Sequence, residues 1–349
     1  MIFKILLNIF IAIFFFNVLI SAENNFFKIL NKTENSVNIL INNKNKSILQ
    51  FSNKKFEKIF SNVQPKQNTN NIIIIDYKKD SIYNYNLDEN KEYNFNIKNL
   101  KNATEYYFGM FIVGNSSKME ENEFYHFFTL DKEPTEQAKN IAFKNVTESE
   151  IELTWLNGNG KNRIVVINKN SEPDLPVDGK LYIASNDYQN KSNSLNGTAS
   201  KVIFNGNNKN QNNLLITNLE FGTYYFQVFE YNGNNESINY LTTKNNSNPR
   251  FKKTLLPPPI ALEATNISED GFIANWKGKD EIESYLIDIA EDKDFKNILQ
   301  LYNSADLGKT TSFEFGNLEK GKTYYYRITA ISQDNKSKFS NLIQVKLKN

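Results

Sequence analysis

The side chains that could do chemistry are few. His126 is the only histidine, cysteine is absent, and no Gly-x-Ser-x-Gly elbow occurs. A nucleophile paired with an imidazole base therefore has one possible base, and that base lies in EFYHFFTL, an alternating run that reads as a strand. Paired-carboxylate hydrolysis needs two acids facing across a cleft. The acids in IDIAEDKDF, namely Asp288, Glu291, Asp292 and Asp294, instead read as solvated turn residues. Asp292-Lys293-Asp294 lacks the glycine and terminal glutamate of a calcium loop. Zinc sites built from His and Cys clusters are excluded by composition. Asn145-Val-Thr147, Asn196-Gly-Thr198 and Asn266-Ile-Ser268 fit the glycan-acceptor pattern, which arises by chance in so Asn-rich a chain. No catalytic, cofactor-binding or metal residue is predicted, no cofactor is expected, and the chain reads as noncatalytic.

Two motifs, each present three times, set the organisation. NKTENSVNILI (Asn31 to Ile41), NVTESEIELTW (Asn145 to Trp155) and NISEDGFIANW (Asn266 to Trp276) each run from a polar turn into an alternating strand. Downstream, NLKNATEYYFGM (from Asn99), NLEFGTYYFQV (from Asn218) and NLEKGKTYYYRI (from Asn317) lead from a turn into a tyrosine-rich strand. The copies start about 115 to 120 residues apart, which suits tandem domains rather than a solenoid of short repeats. In the third copy strands are predicted at 260–264, 271–276, 284–290, 298–302, 311–315, 322–331 and 342–347. Short strands so spaced, with no helical period, predict an all-β chain of tandem antiparallel sandwiches.

The third copy resembles a fibronectin type III domain from Pro257 to Lys348. The resemblance rests on Pro257-Pro258-Pro259, Trp276 and Leu318-Glu-Lys-Gly-Lys-Thr-Tyr324. The second copy is similar through Trp155 and Leu219-Glu-Phe-Gly-Thr-Tyr-Tyr225. It also resembles secreted bacterial variants through Arg163 to Ser171, Asp174 to Ser185, Phe229 to Gly233 and Asn239 to Thr242. The first copy departs from the pattern, with Ile41 in place of Trp and Ala103 in place of the turn Gly. The resemblance implies immunoglobulin-like sandwiches at 23–131, 137–254 and 257–349, and a spacer, adhesion or interaction role. In this frame the downstream motif is a corner brace, with Leu318 in the core, Gly321 in a tight turn and the Tyr324 hydroxyl on backbone groups. Tyr325 and its neighbours then face outward, where an aromatic row could meet sugar or peptide. Trp155 to Tyr225 spans about 70 residues against about 48 from Trp276 to Tyr324. The surplus is expected within Asp187 to Asn213, as a loose excursion or a binding loop.

MIFKILLNIFIAIFFFNVLISAENN has the layout of a signal peptide over residues 1–22, which predicts export and no stable membrane insertion after cleavage. An exported chain without cysteine depends on its cores for stability, which suits domains of about 100 residues and a bacterial source. With 41 Lys+Arg against 39 Asp+Glu, no basic surplus exists to neutralise phosphates, so nucleic acid is not an expected partner. Asn makes up about one residue in six and Lys almost wholly displaces Arg, which reads as AT-rich coding at positions where any polar residue serves. DKEPTEQ (Asp131 to Gln137) and TLLPPPI (Thr254 to Ile260) read as linkers that make a semi-rigid rod. The sequence stops soon after its last predicted strand, so release to the periplasm or exterior is expected over covalent display. A protein or polysaccharide at the cell surface is the expected partner, with a carbohydrate-binding or enzyme-accessory role as the alternative.

Overall fold

The computed structural model describes residues 27–43, 47–52, 72–76, 83–88, 90–113, 119–207, 212–279, 281–333 and 335–349. The predicted signal peptide lies outside them. No α-helix occurs among the described residues, and no helix there is long and apolar enough to cross a membrane.

The strands fall into three successive pairs of sheets. The first contains β1 (Phe27–Lys32), β2 (Val37–Asn43), β3 (Ser47–Ser52), β4 (Ile72–Asp76), β5 (Tyr83–Leu87), β6 (Lys91–Lys98), β7 (Glu105–Val113) and β8 (Met119–Phe128). Its sheets run β1-β2-β6-β4 and β5-β3-β7-β8. The second contains β9 (Lys139–Val146), β10 (Ile151–Leu156), β11 (Asn162–Lys169), β12 (Lys201–Gly206), β13 (Asn213–Ile216), β14 (Thr223–Asn232), β15 (Asn239–Tyr240) and β16 (Arg250–Lys253). Here β13-β10-β9 faces β12-β11-β14-β15, with β16 also on β14. The third contains β17 (Ile260–Thr265), β18 (Phe272–Lys277), β19 (Ser284–Ala290), β20 (Ala305–Asp306), β21 (Ser312–Phe315), β22 (Thr323–Ser332), β23 (Asn335–Lys336) and β24 (Ile343–Lys346). Its sheets are β17-β18-β21 and β20-β19-β22-β23, with β24 also on β22. The chain is thus a tandem of antiparallel, immunoglobulin-like β-sandwiches, and β4 is the exception, lying parallel to β6.

Alternation builds each core. In β10 and β18 every second side chain turns inward, which buries Ile151, Leu153 and Trp155 in one sandwich and Phe272, Ala274 and Trp276 in the next. The first core has Phe51, Phe95, Phe108 and Phe127 where a tryptophan is missing. One strand of the third copy differs from expectation. Residues 298–302 give a single bridge from Ala290 to Ile298 and a 3₁₀ turn at Gln300–Tyr302 that leaves Leu301 83% exposed, because Leu299 and Tyr302 pack on the core while Leu299 N–H donates to Ile289 O. The short β20 takes the place of that strand beside β19.

The two recurring motifs meet in one closure built three times. The N–H groups of Leu100, Leu219 and Leu318 donate to the carbonyls of Asn35, Ser149 and Asp270, each at 2.9 Å. The carbonyls of Thr33, Thr147 and Ser268, two residues earlier, accept from Leu130, Leu255 and Lys348 at the far end of each copy. Upstream turn, downstream turn and final residues are therefore tied at one corner. Asn99, Asn218 and Asn317 precede those leucines at φ 58, 57 and 60°, a left-handed conformation that Asn tolerates better than most residues. Ala103 takes φ 47° where Gly321 takes 72°, so the first copy keeps the turn without the glycine.

The corner tyrosines are Tyr106, Tyr224 and Tyr324, whose hydroxyls accept from the N–H of Lys101, Glu220 and Glu319 at 2.8, 3.0 and 3.0 Å. This corrects the second-copy alignment. Its turn is one residue shorter, so Tyr224 turns inward as the brace and Tyr225 lies on the outer face. Replacing Tyr324 by Phe should cost about 1 kcal/mol, the scale of one part-buried hydrogen bond, read as a lower urea midpoint for Trp276 fluorescence.

Tyr326, fully buried in the third core, donates its hydroxyl to Leu262 O, and burial pushes its phenol up to about 12. The unfolded chain ionises near the ordinary value of about 10. A raised folded value means the contribution is complete below about pH 10 and fades as the pH climbs toward 12. Urea midpoints for Trp276 should fall across that window, and Tyr326→Phe should flatten the fall.

Candidate functional site

The residues weighed for catalysis lie apart. His126, in β8, places Nδ1 2.8 Å from Glu105 Oε1 and stacks on Tyr107 at 6.3 Å. Tyr107 is pushed up to about 12, chiefly by its hydrogen bond to Glu105. This is a cross-strand group on the outer face, since Tyr107 pairs with His126 in register. Asp292 closes its own turn, accepting from the N–H groups of Asn297, Lys296 and Asp294, which hold its carboxyl below the ordinary range. Glu291 pairs with Lys322 at 3.1 Å. Among the described residues no group of three or more His, Cys, Asp or Glu is placed to hold a metal. The acceptor-pattern residues Asn145, Asn196 and Asn266 are exposed and all take positive φ.

Asp288 departs from its reading as a solvated residue. It is buried, faces Arg327 in register, and pairs with it at 2.8 Å. The Arg327 guanidinium lies 4.0 Å from the Phe295 ring centroid and 3.4 Å from that of Phe339. A cation held against two aromatic faces and a carboxylate needs the planar, delocalised charge of arginine. Phe295 adopts φ 55°, so a strained residue supplies one of those faces.

The second sandwich repeats the device in the interior. Arg163 Nε lies 3.0 Å from Glu230 Oε1, and the two side chains are 1% and 0% exposed. Gly158 N–H donates to the same carboxylate at 2.9 Å. The segments Arg163 to Ser171 and Phe229 to Gly233, separate in sequence, are joined through this pair.

The surplus of the second copy lies between β11 and β12, over residues 170–200, rather than within Asp187 to Asn213 as a whole. It is packed. Tyr182 and Leu195 cover Ile164, Val166, Val202, Phe229 and Tyr231 on the outer face of the sheet, so β11 and β14 are buried on both sides. The Tyr182 hydroxyl donates to Asn196 Oδ1 at 2.8 Å, and that of Tyr240 to Lys180 O at 2.9 Å. Burial pushes the Tyr240 phenol far up.

Outside this cover the sheet shows one aromatic pair. Tyr225 and Phe251 face each other in register with centroids 5.4 Å apart, and Phe251 is 60% exposed. The outward tyrosines were expected at Tyr325 and its neighbours; Tyr225, read from sequence as the corner residue, lies outward instead, and Phe251 beside it was not anticipated. RFKK, with one apolar residue among four, is too short to show any alternation.

The tandem of antiparallel β-sandwiches defines the fold class, and comparison with known families agrees for one copy. Residues 257–346 match the fibronectin type III domain family. No curated protein matches the chain. Among solved structures the chain is similar to a two fibronectin type III domain segment from chicken tenascin, at 13% identity over 61% of this chain and 99% of that one, with a TM-score of 0.35. It is also similar to the FN1–FN3 domains of chicken CNTN1, at 12% identity over 93% of this chain and 98% of that one, with a TM-score of 0.24.

Proposed function

We propose that this is an exported, noncatalytic protein whose sandwiches act together as a semi-rigid spacer and interaction module in a bacterial envelope or outside it. The observation that carries the reading is that both junctions are bonded. Asp131 N–H donates to Ser237 O at 2.7 Å, and the N–H groups of Thr135 and Glu136 both donate to Asn159 Oδ1 at 3.0 Å. At the second junction Leu255 N–H donates to Thr147 O at 2.9 Å, Lys338 pairs with Glu148 at 2.9 Å, and Phe221 packs on the third core. Chain segments held on both sides keep neighbouring units in a restricted relation, as presentation at a distance requires. Small-angle scattering should fit a single elongated particle. Turnover of any defined substrate by the purified chain would sink the noncatalytic part.

A second reading, binding of polysaccharide, is favoured by Tyr225 and Phe251. Glycan binding that shifts tyrosine emission in the native protein and disappears in Phe251→Ala would support it. Failure of a broad glycan panel to perturb that emission would remove it.

A further inference from the structure

The excursion of the second sandwich also grips a residue of the first. Lys32, the last residue of β1, crosses the junction and donates from Nζ to the main-chain oxygen of Glu236 at 2.7 Å. Glu236 lies in the 3₁₀ turn Asn235–Ser237. Gly179 forms the opposite wall: a Cβ there would lie 3.0 Å from Lys32 Nζ and 3.1 Å from Glu236 O. The walls are joined to each other, because Gly179 N–H donates to Ile238 O at 2.8 Å. Asp178 borders the notch and is fixed by accepting from Tyr240 N–H at 2.8 Å. The ammonium is attracted by Glu236 and Asp178, while partial burial holds it below the ordinary lysine value.

This contact lies beside the chain connection, where Leu130 N–H donates to Thr33 O and Asp131 N–H donates to Ser237 O, the residues next to Lys32 and Glu236. Residues 131–137 are strapped to the second sandwich and serve as a pivot, and a pivot alone leaves an angle free. A second tie between the sandwiches, made by a side chain of β1 and not by the linker itself, restricts it. We propose that Lys32, seated between Gly179 and Glu236, is the latch that sets the angle between the first and second sandwiches, and that the excursion supplies its socket. Glu133 also lies close enough to Asp178 and to Glu34 for their charges to interact. The one ammonium faces Asp178 and Glu236, and removing it leaves the like charges of Asp178, Glu133 and Glu34 without a counterion at the joint.

The proposal rests on the spacer reading, and one experiment separates the two. The native chain has no cysteine, so Lys98→Cys and Lys191→Cys, one exposed position in each sandwich, accept spin labels cleanly. Double electron–electron resonance on the full chain should give one narrow distance. Lys32→Met should broaden that distribution at least twofold, and Gly179→Leu, which fills the notch from the other side, should do the same. Lys28→Met, at an exposed position of β1, should leave it unchanged. Unchanged urea unfolding of Trp155 in each variant shows that the second sandwich remains folded. A narrow distance that survives both substitutions overturns the latch and leaves the spacer standing. A broad distance in the native sequence overturns both.

Discussion

Glu230→Ala should destabilise the second sandwich by about 3 to 5 kcal/mol, because it strands the Arg163 guanidinium in a site that is 1% exposed. The loss extends beyond the ion pair. Glu230 also accepts from Gly158 N–H, so a part-buried backbone donor loses its partner at the same time. The two tryptophans report separately, Trp155 from the second core and Trp276 from the third. In urea the Trp155 transition should move down by about 2 M, taking a slope near 2 kcal/mol per M, while the Trp276 transition stays in place. Arg163→Lys should also be costly, since an ammonium cannot reproduce the two contacts of Nε and Nη2 with the carboxylate at 3.0 and 3.4 Å. Replacing both residues by apolar ones of similar volume should recover much of the loss. A Glu230→Ala protein with an unshifted Trp155 transition would show that the pair is neutral to folding.

Asn248→Ala should cost roughly 3 to 5 kcal/mol in the same sandwich. The amide is completely buried and fully used: Nδ2 donates to Ala138 O at 2.8 Å and Val228 O at 2.9 Å, and Oδ1 accepts from Val228 N–H at 3.0 Å. It joins β14 to the segment that leads into β9, which belongs to the facing sheet. Truncation leaves buried backbone groups without partners, at about 1 to 3 kcal/mol each before relaxation or water entry. Asn248→Asp keeps the shape but places an acceptor against two carbonyls, so it should be at least as damaging. Calorimetry on the full chain should show one of its transitions move to lower temperature, and a protein that melts as before would refute the account.

Alternation carried most of the fold. Strands such as Ile151–Leu156 and Phe272–Lys277 bury every second residue, and that pattern needs no tertiary knowledge. What alternation could not show was which outer faces would be covered. The 170–200 segment reads as polar loop, and its packing rests on isolated side chains such as Tyr182 and Leu195 without any period. The asparagines were read too uniformly. Of the fifteen non-glycine residues at positive φ among those described, Asn90, Asn99, Asn140, Asn145, Asn170, Asn196, Asn218, Asn235, Asn266 and Asn317 make up ten. Many therefore sit where the backbone needs a residue that tolerates the left-handed region.

The clearest missed signal was rarity. In a chain where Lys replaces Arg almost everywhere, only Arg163, Arg250 and Arg327 remain. Each is engaged in a way lysine matches poorly. Arg163 and Arg327 hold carboxylates across paired strands, and Arg250 lies over Phe143 at 5.7 Å while donating to Ile141 O at 2.7 Å. The three arginines coincide with the braced sites.

The strapping of residues 131–137 bears on how this chain can be dissected or recombined. Gln137 accepts from Glu230 N–H at 2.9 Å and donates to Leu241 O at 2.6 Å, so it is an internal part of the second sandwich. Asn239 and Asn232 reach back to the carbonyls of Asp131 and Lys132. A cut placed at Lys139, where the first regular strand begins, would discard the strap and leave the buried carboxylate beside an opened flank. The transplantable unit begins at Asp131, upstream of its own first strand, and a graft that respects this boundary carries its hinge with it.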